Sequence, residues 1–251
     1  MKFETYQIMI YVWMGIAAAV FLILLKITAP YGRHASSGWG PQISNRLGWM
    51  IMEMPSVLLV SYFMLSNLSR QNAMTWLLAG LYIFHYINRT FVFPFRIHTR
   101  GKKMPLVIVA MAFMFNVANG FFIGYYLGHF ATYTGDSLFR LTSVTGLLLF
   151  ISGMFINWKY DQKLIQLRKP GDTGYVIPEG GLFRYVSCPN LLGEIIEWLG
   201  DAVLCWNLPA FSFLVWTLAN LVPRALSHHR WYRQRFDNYP VTRKAVFPFL
   251  L

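Results

Sequence analysis

The chain has little charge and almost no cysteine. Asp, Glu, Lys and Arg make up 13% of its 251 residues, against roughly 25% in ordinary soluble domains. Two cysteines cannot build a disulfide framework or a Cys-rich zinc site. A dinucleotide-binding GxGxxG, a Walker A motif, HExxH and CxxC are also missing. We therefore expect no metal, no Rossmann domain and neither a soluble nor a secreted disulfide-rich protein.

Long apolar runs take the place of charge. Hydrophobic residues reach 56% and the mean hydropathy is +0.42, which predicts an integral membrane protein. Runs long enough to cross a bilayer of about 30 Å lie near 8–28, 48–66, 74–95, 104–127 and 141–157. A sixth stretch, 193–225, is broken at Asn207-Leu208-Pro209.

The distribution of positive charge predicts the orientation. The net charge of +12 comes mainly from alternate loops and from the tail 224–244, so we assign it to the membrane rather than to nucleic acid. The positive-inside rule then places the N-terminus outside. A cytoplasmic tail requires two spans within 193–225, joined near Pro209. The prediction is seven spans.

Two sets of polar side chains interrupt the apolar runs. Glu53 has no base nearby in sequence, and hydrocarbon favours its uncharged form, which can donate a hydrogen bond. A glutamate snorkelling to the headgroups is the alternative. Tyr82, His85, Tyr86 and Arg89 follow i, i+3, i+4 and i+7 spacing and share one helical face. This face lines a cavity or, alternatively, forms a structural seam between helices.

The last third of the chain holds the remaining candidates. Glu194, Glu197 and Asp201 share a face, and Asn190 is the expected N-cap, so part of this acidic set is interpreted as capping. The cytoplasmic segment 157–193 is rich in Gly and Pro. Basic residues alternate with aromatic residues in the tail, a pattern that suits phosphates and a stacked base or, alternatively, lipid headgroups.

Nine blocks give the chain a family resemblance. It resembles the steroid 5α-reductases (3-oxo-5α-steroid 4-dehydrogenases) over nearly its whole length. Two blocks are far more specific than any lone motif: Gly193-Glu194-Ile195-Ile196-Glu197-Trp198 and Gly180-Gly181-Leu182-Phe183. The blocks are 31–34, 53–56, 85–92, 119–120, 124–127, 166–171, 177–187, 190–198 and 224–249.

The resemblance implies an all-α membrane protein with seven transmembrane helices, N-terminus outside and C-terminus cytoplasmic. Residues 1–251 would form one domain, with 1–130 mainly on the substrate side and 141–251 mainly on the NADPH side. The implied reaction is NADPH-dependent reduction of the Δ4 double bond of a 3-oxo steroid such as testosterone or progesterone. The membrane would be a bacterial inner membrane or the endoplasmic reticulum, and the protein a monomer that binds no nucleic acid.

The resemblance also implies residue roles. Glu53 and Tyr86 would hydrogen-bond the C3 carbonyl oxygen, with Trp49 in the substrate site. The nicotinamide end would meet Asn190, Glu194 and Tyr232, and supplementary charges near the phosphates would be Arg89, Arg100 and Lys102. The ribose and phosphate contacts would be Asn157, Asp161, Arg168, Tyr175, Arg224 and His228.

Two departures from the family pattern affect details. Met52 stands where relatives often carry Gln, and Val176 where they can carry Arg. The nearest alternative is a membrane enoyl-thioester or polyprenol reductase, which shares the C-terminal cofactor region. A seven-helix receptor or transporter is the remote alternative, and it would bind no NADPH.

Overall fold

The computed structural model describes residues 1–36, 38–97, 101–167 and 174–251. Most of these residues are helical. The helices are α1 (Phe3–Lys26), α2 (Asn45–Ser66), α3 (Ala73–Ile87), α4 (Phe93–Arg96), α5 (Leu106–Tyr125), α6 (Leu141–Gln166), α7 (Pro189–Cys205) and α8 (Leu208–Arg235). A π-helical turn, Asn88–Val92, joins α3 to α4, and a second, Tyr126–Phe130, extends α5. Strands β1 (Gln42–Ser44) and β2 (Lys103–Pro105) pair antiparallel.

Five helices in the described part of the chain are long and apolar enough to cross a membrane. They are α1, α2, α5 with its π-helical turn, α6 and α8. Large apolar side chains such as Ile8, Val12 and Leu22 are exposed along α1, as expected of a surface in contact with lipid. These features support a helical, multi-pass membrane protein.

The predicted break inside 193–225 is confirmed. Helix α7 ends at Cys205, and Trp206 adopts a left-handed backbone with φ 46°. Helix α8 then begins at Leu208 with Pro209 in its first turn, where a missing N–H costs no helical hydrogen bond.

The chain divides into two compact units. The first comprises residues 1–10, 29–143 and 207–209. Its centre is the parallel pair α2 and α5, which start from the small sheet, where Ile43 pairs with Met104. Gly120 and Gly124 of α5 and Gly128 of its π-helical turn recur every fourth residue. A Cβ on Gly120 would lie 3.2 Å from the Pro55 carbonyl oxygen, which is tighter than most Cβ contacts, so glycine favours this close approach.

The second unit comprises residues 11–28, 144–206 and 210–251. Helices α6 and α7 run antiparallel and touch through glycines on both sides. A Cβ on Gly153 would meet the backbone of Gly193 and Glu197, and one on Gly200 would meet the backbone of Gly146 and Phe150. Backbone against backbone brings the polar side chains that flank these glycines within hydrogen-bonding distance of one another.

Candidate functional site

In the first unit, Asn116 of α5 holds Glu53 of α2. Its Nδ2 donates to the Met52 carbonyl oxygen at 2.8 Å and to Glu53 Oε2 at 3.1 Å. Its Oδ1 accepts from the Ser56 hydroxyl at 2.9 Å. Asn116 lies one turn before Gly120, on the face that approaches α2, so the glycine contact places the amide beside the acid. The side chain of Asn116 therefore uses both donors and its acceptor on α2.

The tyrosines of α3 continue this network. The Tyr82 hydroxyl donates to Ser56 Oγ at 3.3 Å, and the Tyr82 and Tyr86 rings lie 4.7 Å apart. Tyr82, Glu53 and Ser56 all lie close enough to the Tyr86 phenol to affect it electrostatically. Tyr86 is only 4% exposed. The predicted pair Glu53 and Tyr86 thus belongs to one polar cluster, in which Tyr86 is buried and Glu53 half-buried.

Trp49 lies one turn before Glu53 and packs against a cation. The Arg89 guanidinium carbon lies 4.6 Å from the Trp49 ring centroid and 4.7 Å from that of Phe93. The two rings meet edge to face with 5.5 Å between their centroids, so Arg89, which lies on the π-helical turn, packs against an aromatic pair. Cation–π contacts of this kind hold a guanidinium in place without neutralising it. Lys102 is exposed just before β2, and Arg100 lies outside the described residues.

A second polar cluster lies between α6 and α7. Asn157 Nδ2 donates to the Asn190 carbonyl oxygen at 3.0 Å and to Glu194 Oε2 at 3.4 Å. The Asn190 side chain donates to Asp161 Oδ1 at 2.9 Å. Each helix contributes residues four apart, which lie one above the other on its facing side. The structure therefore brings together four predicted cofactor residues: Asn157, Asp161, Asn190 and Glu194.

The prediction that Asn190 caps α7 is wrong. The helix begins one residue earlier, at Pro189, with Cys188 at the cap position and no side-chain cap. Proline favours the first helical turn because it lacks the N–H that would otherwise be unsatisfied there. The Asn190 amide is thereby left to bond Asp161. Of the other two acids on this face, Glu197 is fully buried, and Asp201 accepts from Cys205 Sγ at 3.4 Å.

Helix α8 carries the remaining predicted cofactor residues in the described part of the chain, apart from Tyr175. Arg224, His228 and Tyr232 recur every fourth residue and lie along one face of the helix. The Tyr175 ring meets the Trp231 ring edge to face at 4.8 Å, which places Tyr175 against α8. Arg168 lies outside the described residues.

The loop before α7 is shaped by two glycines. Gly180 and Gly181 have φ of 79° and 59°, a left-handed backbone that favours glycine. A Cβ on Gly181 would also meet the Tyr160 hydroxyl, which accepts from the Leu182 N–H at 2.7 Å. These contacts hold the loop against α6.

This donor set fits a nicotinamide dinucleotide. The amides and carboxylates of the second polar cluster, of which Asn157 is buried and the others half-buried, suit ribose hydroxyls and a carboxamide, and the basic face of α8 suits phosphates. Within the described ranges, no group of three His, Cys, Asp or Glu side chains is placed to hold a metal ion.

The sequence reasoning missed Ser56 and Asn116. Both are buried in the first unit and connect Tyr82 to Glu53. The signal was present: Asn116 interrupts the apolar run of α5, and an uncompensated amide in hydrocarbon is costly.

Comparisons with known proteins give a consistent result. A family model described as 3-oxo-5-alpha-steroid 4-dehydrogenase matches residues 102–251. Steroid 5-alpha-reductase DET2 of Gossypium hirsutum is 42% identical over 240 residues, covering 94% of this chain and 93% of the relative. The Arabidopsis thaliana protein of that name is 40% identical over 255 residues, covering 99% and 97%. The 3-oxo-5-alpha-steroid 4-dehydrogenase 1 of Bos taurus is 38% identical over 245 residues, covering 96% and 95%.

Proposed function

Because the chain belongs to the 3-oxo-5-alpha-steroid 4-dehydrogenase family, we propose that it reduces the Δ4 double bond of 3-oxo-Δ4-steroids to 5α-3-oxosteroids with NADPH. The observation that carries the proposal is the polar cluster around the half-buried Glu53 and the buried Tyr86. It contains an acid and a phenol suited to one ketone oxygen, and a hydrogen-bond network behind the acid.

The two donors act on the C3 oxygen of the substrate. Glu53, as the uncharged acid, and Tyr86 each donate a hydrogen bond to this oxygen and draw electron density from the enone. C5 becomes electrophilic, and the negative charge that develops on the oxygen is stabilised by donors already in place. NADPH supplies, when bound, the hydride that C5 receives. A proton added at C4 completes the reduction.

The network behind Glu53 fixes which oxygen donates. Asn116 donates to Oε2, so that oxygen acts as an acceptor and the acidic proton belongs on the other oxygen, Oε1. Ser56 and Tyr82 hold the amide in this orientation. Trp49, one turn away, completes the substrate site in this proposal.

The second polar cluster holds the cofactor. Asn190, Glu194 and Tyr232 contact the nicotinamide end, and Arg89 and Lys102 add positive charge near the phosphates. Arg100 and Arg168, which lie outside the described residues, belong to the same phosphate set. The ribose and phosphate contacts in the described ranges are Asn157, Asp161, Tyr175, Arg224 and His228.

The proposed topology has seven spans in one domain, with the N-terminus outside and the C-terminus cytoplasmic. The two additional spans are the segment 73–96, which continues from α3 through its π-helical turn into α4, and α7. Such a monomer fits a bacterial inner membrane or the endoplasmic reticulum membrane and takes steroids such as testosterone or progesterone.

The test is turnover of testosterone with NADPH, scored by the configuration at C5 of the product. The variant Glu53→Gln keeps a hydrogen-bond donor and should retain some activity, whereas Glu53→Leu should be nearly inactive. Glu4→Leu, an exposed acid at the start of α1, is the matched control. Full activity of Glu53→Leu would remove Glu53 from the mechanism. Turnover of trans-2-enoyl-CoA but not of steroids would favour the enoyl-thioester reductase alternative.

A further inference from the structure

A serine outside the predicted cofactor set gathers three polar groups of the second unit. Ser187 lies just before α7 and is 3% exposed. Its Oγ lies 2.6 Å from the Tyr239 hydroxyl, 2.7 Å from His229 Nδ1 and 3.0 Å from the Lys244 carbonyl oxygen. The three partners come from α8 and from the tail that follows it.

The chemistry of these groups assigns the protons. A hydroxyl has one proton and two acceptor lone pairs, and a carbonyl oxygen can only accept. Ser187 therefore donates to Lys244, and it accepts from the Tyr239 hydroxyl and from the Nδ1–H of His229. Burial raises the pKa of Tyr239 above its ordinary value of 10.0, so this phenol stays protonated and remains a donor.

Tyr239 also stacks on a predicted cofactor residue. Its ring lies parallel to that of Tyr232, with 5.4 Å between centroids and 7° between planes. The same ring meets His229 edge to face at 5.8 Å. Tyr232 and His229 lie three residues apart and therefore share one face of α8. Tyr239 packs against that face.

The backbone holds the tail without help from the Tyr239 hydroxyl. The Ser187 N–H donates to the Lys244 carbonyl oxygen at 2.8 Å, and the Cys188 N–H donates to that of Ala245 at 3.1 Å. The Lys244 N–H returns a bond to Tyr185 at 2.8 Å. A variant that lacks only the phenolic oxygen should therefore keep the tail in place.

A buried arginine adds a further side-chain contact. Arg243 is 4% exposed, donates from Nη1 to the Pro178 carbonyl oxygen at 3.2 Å, and lies 4.9 Å from the Tyr239 ring centroid. The Tyr239 ring thus contacts both the Arg243 guanidinium and the Tyr232 ring, and its hydroxyl bonds Ser187. Together these contacts define the orientation of the ring.

We propose that Tyr239 is a positioning residue that sets the Tyr232 ring through its stacking and its hydrogen bond to Ser187, and thereby the affinity for NADPH. This inference rests on the proposed assignment of Tyr232 to the nicotinamide end. Tyr239 needs no contact with the cofactor in this account.

The test measures KM for NADPH and for testosterone in the full-length protein in nanodiscs. Loss of one buried hydrogen bond predicts that Tyr239→Phe raises the NADPH KM about tenfold, with the steroid KM changed less than about twofold. Ser187→Ala should give a similar pattern. The control is Tyr185→Phe, which removes an exposed phenol from the same segment and should change neither KM.

Three results would overturn the inference. One is an unchanged NADPH KM in Tyr239→Phe while Tyr232→Ala is impaired; the assignment of Tyr232 would then survive. Another is an equal effect of Tyr239→Phe on both substrates with a lowered melting temperature, which indicates a purely structural role. The third is an unchanged NADPH KM in Tyr232→Ala, which removes the premise. A wild-type protein that oxidises no NADPH would instead refute the proposed function itself.

Discussion

Replacing Asn116 with leucine should disable Glu53 without touching it. The side chains are similar in size, but leucine removes the donor at 3.1 Å from Glu53 Oε2, the donor to Met52 and the acceptor of Ser56. Each buried polar group left without its partner costs about 1–3 kcal/mol. A catalytic group displaced by about 1 Å can lose a hundredfold in rate, which corresponds to about 2.7 kcal/mol in the barrier.

We therefore expect Asn116→Leu to lower kcat for testosterone by one to two orders of magnitude, with the NADPH KM unchanged. The assay follows the loss of NADPH absorbance under saturating cofactor. Asn220→Leu is the matched control, because the Asn220 side chain donates to the Trp216 carbonyl oxygen of its own helix, at 2.9 Å, and to no other helix among the residues that the structure describes. A wild-type kcat in Asn116→Leu would refute the claim that the amide orients the acid.

Two further changes test the second unit. Gly193→Ala places a Cβ against the Asn157 backbone. Such overpacking should destabilise the protein by about 1–3 kcal/mol and raise the NADPH KM several-fold. Gly15→Ala, at a position with open space around it, should change neither the stability nor the NADPH KM. The raised pKa of Tyr239 stabilises the fold at neutral pH, and this contribution is lost as pH rises above about 10, where the unfolded chain ionises first. Melting temperatures measured across alkaline pH should therefore fall less steeply in Tyr239→Phe than in wild type; equal slopes would contradict the assignment.

Much of the helical architecture could be predicted from apolar runs and turn residues. The break between α7 and α8 follows from Asn207 and Pro209, and the run 48–66 corresponds closely to α2. The ends of α1 and α6 differ more from the ends of the predicted apolar runs. Helix α6 continues to Gln166, well past the predicted end of its apolar run near residue 157, because a helix can extend beyond the bilayer with polar residues.

The site could be predicted only in part. Glu53 and the stripe of Tyr82, His85, Tyr86 and Arg89 are visible from spacing and from the cost of polarity in hydrocarbon. The partner of Glu53 is not visible, because Asn116 lies 63 residues away in sequence and periodicity within one helix carries no information about a neighbour. The same limit hid the contact of Ser187 with Tyr239, 52 residues later.

The π-helical turn Asn88–Val92 has a consequence for how this segment tolerates change in length. A π-helical turn accommodates one residue more than an α-helical turn, so deleting one residue from the turn restores regular α-helix and keeps the orientation of the segment beyond it. Deleting one residue from the regular helix α3 would instead rotate the residues that follow by about 100°. Arg89 would then leave its place beside Trp49, although both side chains would still be present. Single-codon deletions should therefore be tolerated far less well within α3 than within the π-helical turn.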